Sequence, residues 1–297
     1  MLDASKKSYV ERAREEWNIL YNDAGSALKR EGGLDEALNL ALKARGVALT
    51  KVKETEEIVF SNDQLILICG EIKKRQHIRG GIYRNFPSVV NVCGIAAEAA
   101  EGTLGHYRRK GAAQAVINQL DSMAVSLRKG HIDVMLSYGR ESAADHDYFA
   151  AIWAYKGVLS AQSRLPYLIH SPTEMNNMLH CTSMLAADDS RASGAYSKEL
   201  IALKTAISTA VALKMPDSGV KPLKMRAVTS GVMAGEAAER NLHFGIAHEA
   251  FKDAIGFAWE AGVSEAAIAG IRLKMNTCRY MLGSGRVGLL RTMHDSI

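Results

Sequence analysis

The chain has 297 residues, 47% of them apolar, and a formal net charge of +5. Five prolines set against plentiful alanine, leucine and methionine favour helices and disfavour an all-β fold, and the apolar content supplies a sizeable core without covalent staples. Cys69, Cys93, Cys181 and Cys278 include no CxxC pair, which argues against a disulfide framework or zinc ribbon and for free thiols. No run approaches the roughly 20 apolar residues that span a bilayer, and the start has no apolar core behind its charges, so neither membrane insertion nor a signal peptide is expected.

In chain order, Leu34, Ala37, Leu38, Ala41 and Leu42 form one helical stripe. Ile58-Val59-Phe60 and Leu65 to Cys69 flank the turn-prone Ser61-Asn62-Asp63, a pattern that predicts a short β-hairpin over residues 58–69. Residues 73–86, basic and carrying Gly80-Gly81, read as an exposed loop. A small-residue helix over 91–101 breaks near Gly102 and Gly105. The clearest period runs from Ala113 through Val116, Ile117, Leu120, Met123 and Ala124 to Leu127, closed by Arg128-Lys129-Gly130. Further helices are expected at 147–163, 173–187, 197–214, 235–261 and 264–282. The Pro/Gly-containing stretch 215–223 marks a lobe boundary, which gives a mainly α, two-lobed helical body divided into 1–214 and 215–297.

Catalytic patterns find little support. Asp145-His146-Asp147 are consecutive and so point in different directions on a helix; acids at a helix N-terminus account for them better than a metal does. Glu239 and His243 share a helical face but lack the Glu-x-x-His spacing of di-iron sites. Asp188-Asp189 resembles the acid-rich Mg²⁺ sites of helical isoprenoid enzymes without their third acid, and it carries the alternative of a metal-dependent all-α enzyme. Gly283 to Gly288 matches GxGxxG but follows a helix rather than a strand. No enzymatic activity, catalytic residue, metal or cofactor is expected.

Charge is the remaining signal. Residues 1–72 hold ten basic and thirteen acidic side chains, whereas from Lys73 to Lys110 eight basic residues face only Glu98 and Glu101. Lys73, Lys74, Arg75, Arg79 and Arg84 interleave with Tyr83 and Phe86, which is what single-stranded nucleic acid recruits: cations for phosphates and rings for bases. Arg108, Arg109, Lys110, Arg128, Lys129 and Arg164 could extend the track. Arg272, Lys274, Arg279 and Arg286 form a second, acid-free patch near the C-terminus. The bland alternative is a solvated positive face.

Gly111-Ala112-Ala113, the helix ending Ser126-Leu127-Arg128-Lys129-Gly130, and the run from Tyr155 to Pro166 together resemble a central region of influenza-like nucleoproteins, over about a fifth of the chain. The resemblance implies a nucleocapsid protein of a negative-strand RNA virus, found in the virion and host-cell cytoplasm. It would coat single-stranded RNA without sequence preference, assemble with itself through an exchanged arm or loop, and meet a viral polymerase. The chain is shorter and less basic than that family, so no individual residue's role transfers. A helical filament coat or scaffold protein is a further alternative. The apolar Val287, Leu289, Leu290, Met293 and Ile297 beyond Leu282 are expected to bury against this subunit or another.

Overall fold

The structure, a computed structural model, describes residues 9–30, 32–79, 82–83 and 85–283. The described residues are overwhelmingly helical: α1 (Tyr9–Lys29), α2 (Leu34–Val47) with a π-helical extension (Ala48–Val52), α3 (Thr55–Gln76), α4 (Phe86–Arg109), α5 (Gln114–Ala144), α6 (Tyr148–Gln162), α7 (Pro172–Ala192), α8 (Tyr196–Ala212), α9 (Asp217–Arg240), α10 (Phe244–Glu260) and α11 (Glu265–Gly283). Two short strands, β1 (His77–Arg79) and β2 (Ile82–Tyr83), pair antiparallel between α3 and α4. None of the described helices is long and apolar enough to cross a membrane.

The chain divides into two compact units, one formed by Met1–Arg140 with Gly157–Ile169 and the other by Glu141–Lys156 with His170–Ile297. This replaces the boundary expected at 214/215. Residues 213–216 are instead a tight turn between two packed helices of the second unit, and Pro222 sits inside α9.

In the first unit α1 and α2 form one antiparallel pair and α3 and α4 another, around Ala24, Ala27, Ala37, Ala41, Leu65, Ile68 and Val92. The hairpin expected at 58–69 is corrected to the middle of α3. Ile58, Leu65, Ile68, Cys69 and Ile72 are buried at helical spacing, and two of the three turn-prone residues between them, Ser61 and Asn62, point inward with their polar groups bonded, while Asp63 is exposed. Trp17 Nε1 donates to Ser61 Oγ at 2.8 Å, Arg45 to Asn62 Oδ1 at 2.8 Å, and Asn62 Nδ2 to Thr103 Oγ1 at 3.1 Å. Interior polar residues thus imitate a turn signal. The strands lie further on, within the stretch read as a loop.

α4 runs unbroken through Gly102, where an added Cβ would stand 3.4 Å from Asn62 Nδ2; the glycine serves the crossing with α3 rather than ending the helix. Its start is capped by Asn85, whose side chain accepts from Ser88 N at 3.1 Å, with Pro87 in the first turn. Ile117, Leu120, Met123 and Leu127 pack with Ala124 on Ala100 and Leu104, as their period requires. α5 then continues past Arg128-Lys129-Gly130, because Arg128, Ile132 and Met135 are themselves buried.

In the second unit α7, α8, α9, α10 and α11 pack chiefly on their neighbours in sequence. One turn geometry recurs. Gly194, Lys214, Leu242 and Gly262 each have positive φ, and in each case the following amide bonds the carbonyl five residues back: Ala195 to Ser190 at 2.7 Å, Met215 to Ala210 at 3.0 Å, His243 to Ala238 at 2.8 Å and Val263 to Ala258 at 2.9 Å. These are Schellman caps, which satisfy the last carbonyls of one helix and reverse the chain within a few residues. The single helix expected over 235–261 is therefore two, α9 and α10, divided at Leu242.

Candidate nucleic-acid interface

The last turn of α3 carries Lys73, Lys74 and Arg75, whose charges also complement the negative end of that helix. None of the three forms an ion pair with a described acid. Lys73 reaches into a groove of about 400 Å³ between α3, α4 and α5. Ile66, Cys69, Val92, Cys93, Ala96 and Leu127 give it an apolar floor, and Lys129 and Asp133 stand at its edge. Glycines open both walls. Nothing lies within 4 Å of an added Cβ at Gly70, and only the flexible end of Lys73 at Gly130. Burial pushes the Cys69 thiol up to about 12, and raises Cys93 against the opposing influence of the Lys73 ammonium, so both thiols stay protonated and unreactive.

The other expected cations are placed differently. Arg108 pairs with Asp121 at 2.9 Å, while Arg109 and Lys110, at the end of α4, form no ion pair with a described acid; burial lowers the neighbouring His106, and these two cations lower it further. Arg128 is 3% exposed and held by Glu101 at 2.6 Å, so it is corrected from a phosphate contact to an interior ion pair. Arg164 stands 3.8 Å from Glu101 and 4.0 Å from Glu98. Arg272 pairs with Glu265 and lies over the Trp259 ring, and Lys274 pairs with Glu236; Arg279 is exposed on α11. Arg79 and Tyr83 have their backbones in the hairpin. Gly80, Gly81, Arg84 and Arg286 lie outside the described residues, as does the GxGxxG stretch from residue 284.

The structure thus brings Lys73 and Lys129 to one groove and leaves Lys74, Arg75, Arg109 and Lys110 without an ion pair to a described acid, while acids distant in sequence neutralise Arg108, Arg128 and Arg164. Cys69, Gly70, Cys93 and Asp133 were missed, and the intervals between them give no pattern that would join them. The Glu265–Arg272 pair was missed as well, although seven residues on one helix return to the same side and could have signalled it.

Two of the acids considered for catalysis, Asp188 and Asp147, have other partners. Arg226 binds Asp188 at 2.6 Å and the buried Glu199 at 2.6 Å, tying α7, α8 and α9 together. Asp147 caps α6, accepting from Ala150 N at 3.2 Å, while His146 occupies the positive-φ position after α5. Among the described residues no group of three or more His, Cys, Asp or Glu could hold a metal ion. Of the thiols, Cys69, Cys93 and Cys278 are buried and Cys181 is exposed.

No protein-family model matches the chain, and no curated protein does. Among solved structures, the TPR2AB domain of yeast Sti1, described as a complex with pHSP90, aligns with 11% identity over 91% of this chain and 98% of that chain, at a TM-score of 0.20. At that score the likeness bears on neither the arrangement of the helices nor their role.

Proposed function

We propose that the chain is a non-catalytic binding protein that coats single-stranded RNA as a nucleocapsid-type subunit, acting in the virion and host-cell cytoplasm and able to meet a viral polymerase. The observation that carries this reading is the cluster of cations at the end of α3 that form no ion pair with a described acid, with Lys73 and Lys129 both lining an apolar-floored groove. Cations seize phosphates whatever the sequence, and an apolar floor with open walls accepts a base face without hydrogen-bond readout. The RNA track is narrower than the sequence implies: Lys73, Lys74, Arg75, Lys129, Arg109 and Lys110 belong to it, and Arg128 does not.

A fluorescence anisotropy titration of labelled single-stranded RNA across a series of salt concentrations tests it. Binding at low salt should weaken steeply as salt rises, and replacing Lys73, Lys74 and Arg75 by alanine should flatten the logarithmic slope by up to about 0.7 per lost phosphate contact. Absence of binding at low salt defeats the reading. An unchanged slope in the triple variant moves the contacts away from α3.

A second reading is a helical scaffold, favoured by the sequential stack of α7 to α11. Stacks of this kind present extended surfaces and gain stability from each neighbouring pair. It predicts assembly in the absence of nucleic acid, which sedimentation of nuclease-treated protein would reveal.

A further inference from the structure

Two helices give the groove of the first unit matching walls. Ile66, Cys69, Gly70 and Lys73 lie on α3, and Ser126, Lys129, Gly130 and Asp133 on α5, each set at the i, i+3, i+4, i+7 spacing of one helical face. Both stripes open into the same space of about 400 Å³. Each has glycine at its third place and a charged side chain at its last, Lys73 on α3 and Asp133 on α5. Asp133 is out of keeping with its surroundings. It is exposed, it forms no ion pair with a described cation, not even with Lys129 one turn before it, and its carboxylate has no hydrogen-bond partner among the described residues. A carboxylate beside cations that hold phosphates repels the same ligand, and so weakens binding unless the ligand brings it a donor. A phosphodiester has none. The donors of the bases differ from one base to the next, whereas the ribose 2′-hydroxyl stands on every nucleotide of RNA and is missing from DNA.

We propose, building on the reading of this groove as an RNA site, that Asp133 accepts a hydrogen bond from the ribose 2′-hydroxyl of a nucleotide whose phosphates Lys73 and Lys129 hold, and so selects ribonucleotides over deoxyribonucleotides. Lys129 and Asp133 stand four residues apart on α5, about 6 Å along its axis, so a cation and an acceptor meet one strand in succession. The hydrogen bond is charge-assisted, and the apolar floor of Ile66, Val92 and Ala96 keeps water from beneath the sugar and base, which strengthens it. Because every ribose carries the donor, the selection acts on the sugar and leaves the base sequence unread.

Fluorescence anisotropy of the intact chain tests this with three labelled single strands of one base sequence, built on ribose, deoxyribose and 2′-O-methylribose. The ribose strand should bind about tenfold or more tightly than either of the others, since neither of them offers a 2′-hydroxyl proton. Asp133→Ala should erase the difference, weakening the ribose strand and strengthening the deoxyribose strand, with the circular dichroism and the salt dependence unchanged. The comparison with the methylated strand needs no variant, and stands whether or not Asp133→Ala folds. Equal binding of ribose and deoxyribose strands overturns the role of Asp133 and leaves RNA coating intact, as does a ribose preference that survives in folded Asp133→Ala. Methylated RNA binding as well as ribose RNA overturns it too, because the groove then reads sugar pucker rather than a donor. Absence of binding to all three strands defeats the reading of the groove as an RNA site, and the proposal with it.

Discussion

Lys214 shows how a single backbone angle can be read as an energy. It is exposed, it holds a φ of 54°, and its side chain forms no ion pair with a described acid. Glycine meets no Cβ penalty in that conformation, so Lys214→Gly should raise stability by about 0.5–1 kcal/mol, measured by urea denaturation. Leu242 has the same conformation but also packs against the cluster of Phe244 and Phe251, so glycine there would lose packing as it relieves strain. His131 gives a residue-scale prediction in pH. Burial, with Arg128 and Arg164 nearby, pushes it from its ordinary 6.5 down to about 4, and an added Cβ at Gly94 would lie 3.1 Å from its ring. The unfolded chain therefore binds the extra proton first as pH falls. Stability should be level in this respect above pH 6.5 and decline between 6.5 and about 4. His131→Gln should make that decline shallower, with His106, also depressed, accounting for part of the remainder; an equal decline in both proteins would refute the assignment.

At the scale of elements, glycines on neighbouring helices have opposite roles. An added Cβ at Gly235 of α9 would meet the Phe251 ring at 2.6 Å, so Gly235→Ala should cost about 1–3 kcal/mol by overpacking. Gly256 of α10 has nothing within 4 Å, and Gly256→Ala should instead gain about 0.5–1 kcal/mol from lower chain entropy. Thermal or urea unfolding of the two variants should shift in opposite directions. Glycine's double use also explains what could be read from the sequence. The stripe from Ile117 to Leu127 was legible because its period is uniform and its residues apolar. Ser61-Asn62-Asp63 misled because two of the three are interior polar groups whose partners, Trp17, Arg45 and Thr103, come from other helices. The break at Leu242 was hidden because a leucine stands where a cap usually shows glycine, while Gly102 and Gly130 resembled ends and proved to be places where helices pass or a groove opens.

For the whole molecule, a mainly helical body was legible from composition, and the division of charge along the chain was real in sequence but altered by folding. Glu101 lies 27 residues from Arg128 and takes it into the interior, an arrangement that no local window contains. The cluster at residues 73–75 stayed visible because helix ends keep their neighbours together. The unit boundaries were not legible for a related reason. They fall at 140/141 and 156/157, inside helices, and at 169/170, in the loop between Pro166 and Pro172, and the returns of the chain between units have no counterpart in any local window.

That threading has a consequence for synthesis on the ribosome. The first unit is completed by residues 157–169, so a nascent chain that has delivered its first 140 residues still lacks part of that core and must also emit residues 141–156, which belong elsewhere. At about 5–20 residues per second the wait lasts on the order of seconds, long compared with the microsecond formation of a helix. During that interval the alanine-lined pairs α1–α2 and α3–α4 can assemble while the place of 157–169 stands open, an interval in which a chaperone or a neighbouring nascent chain has its best access to the protein.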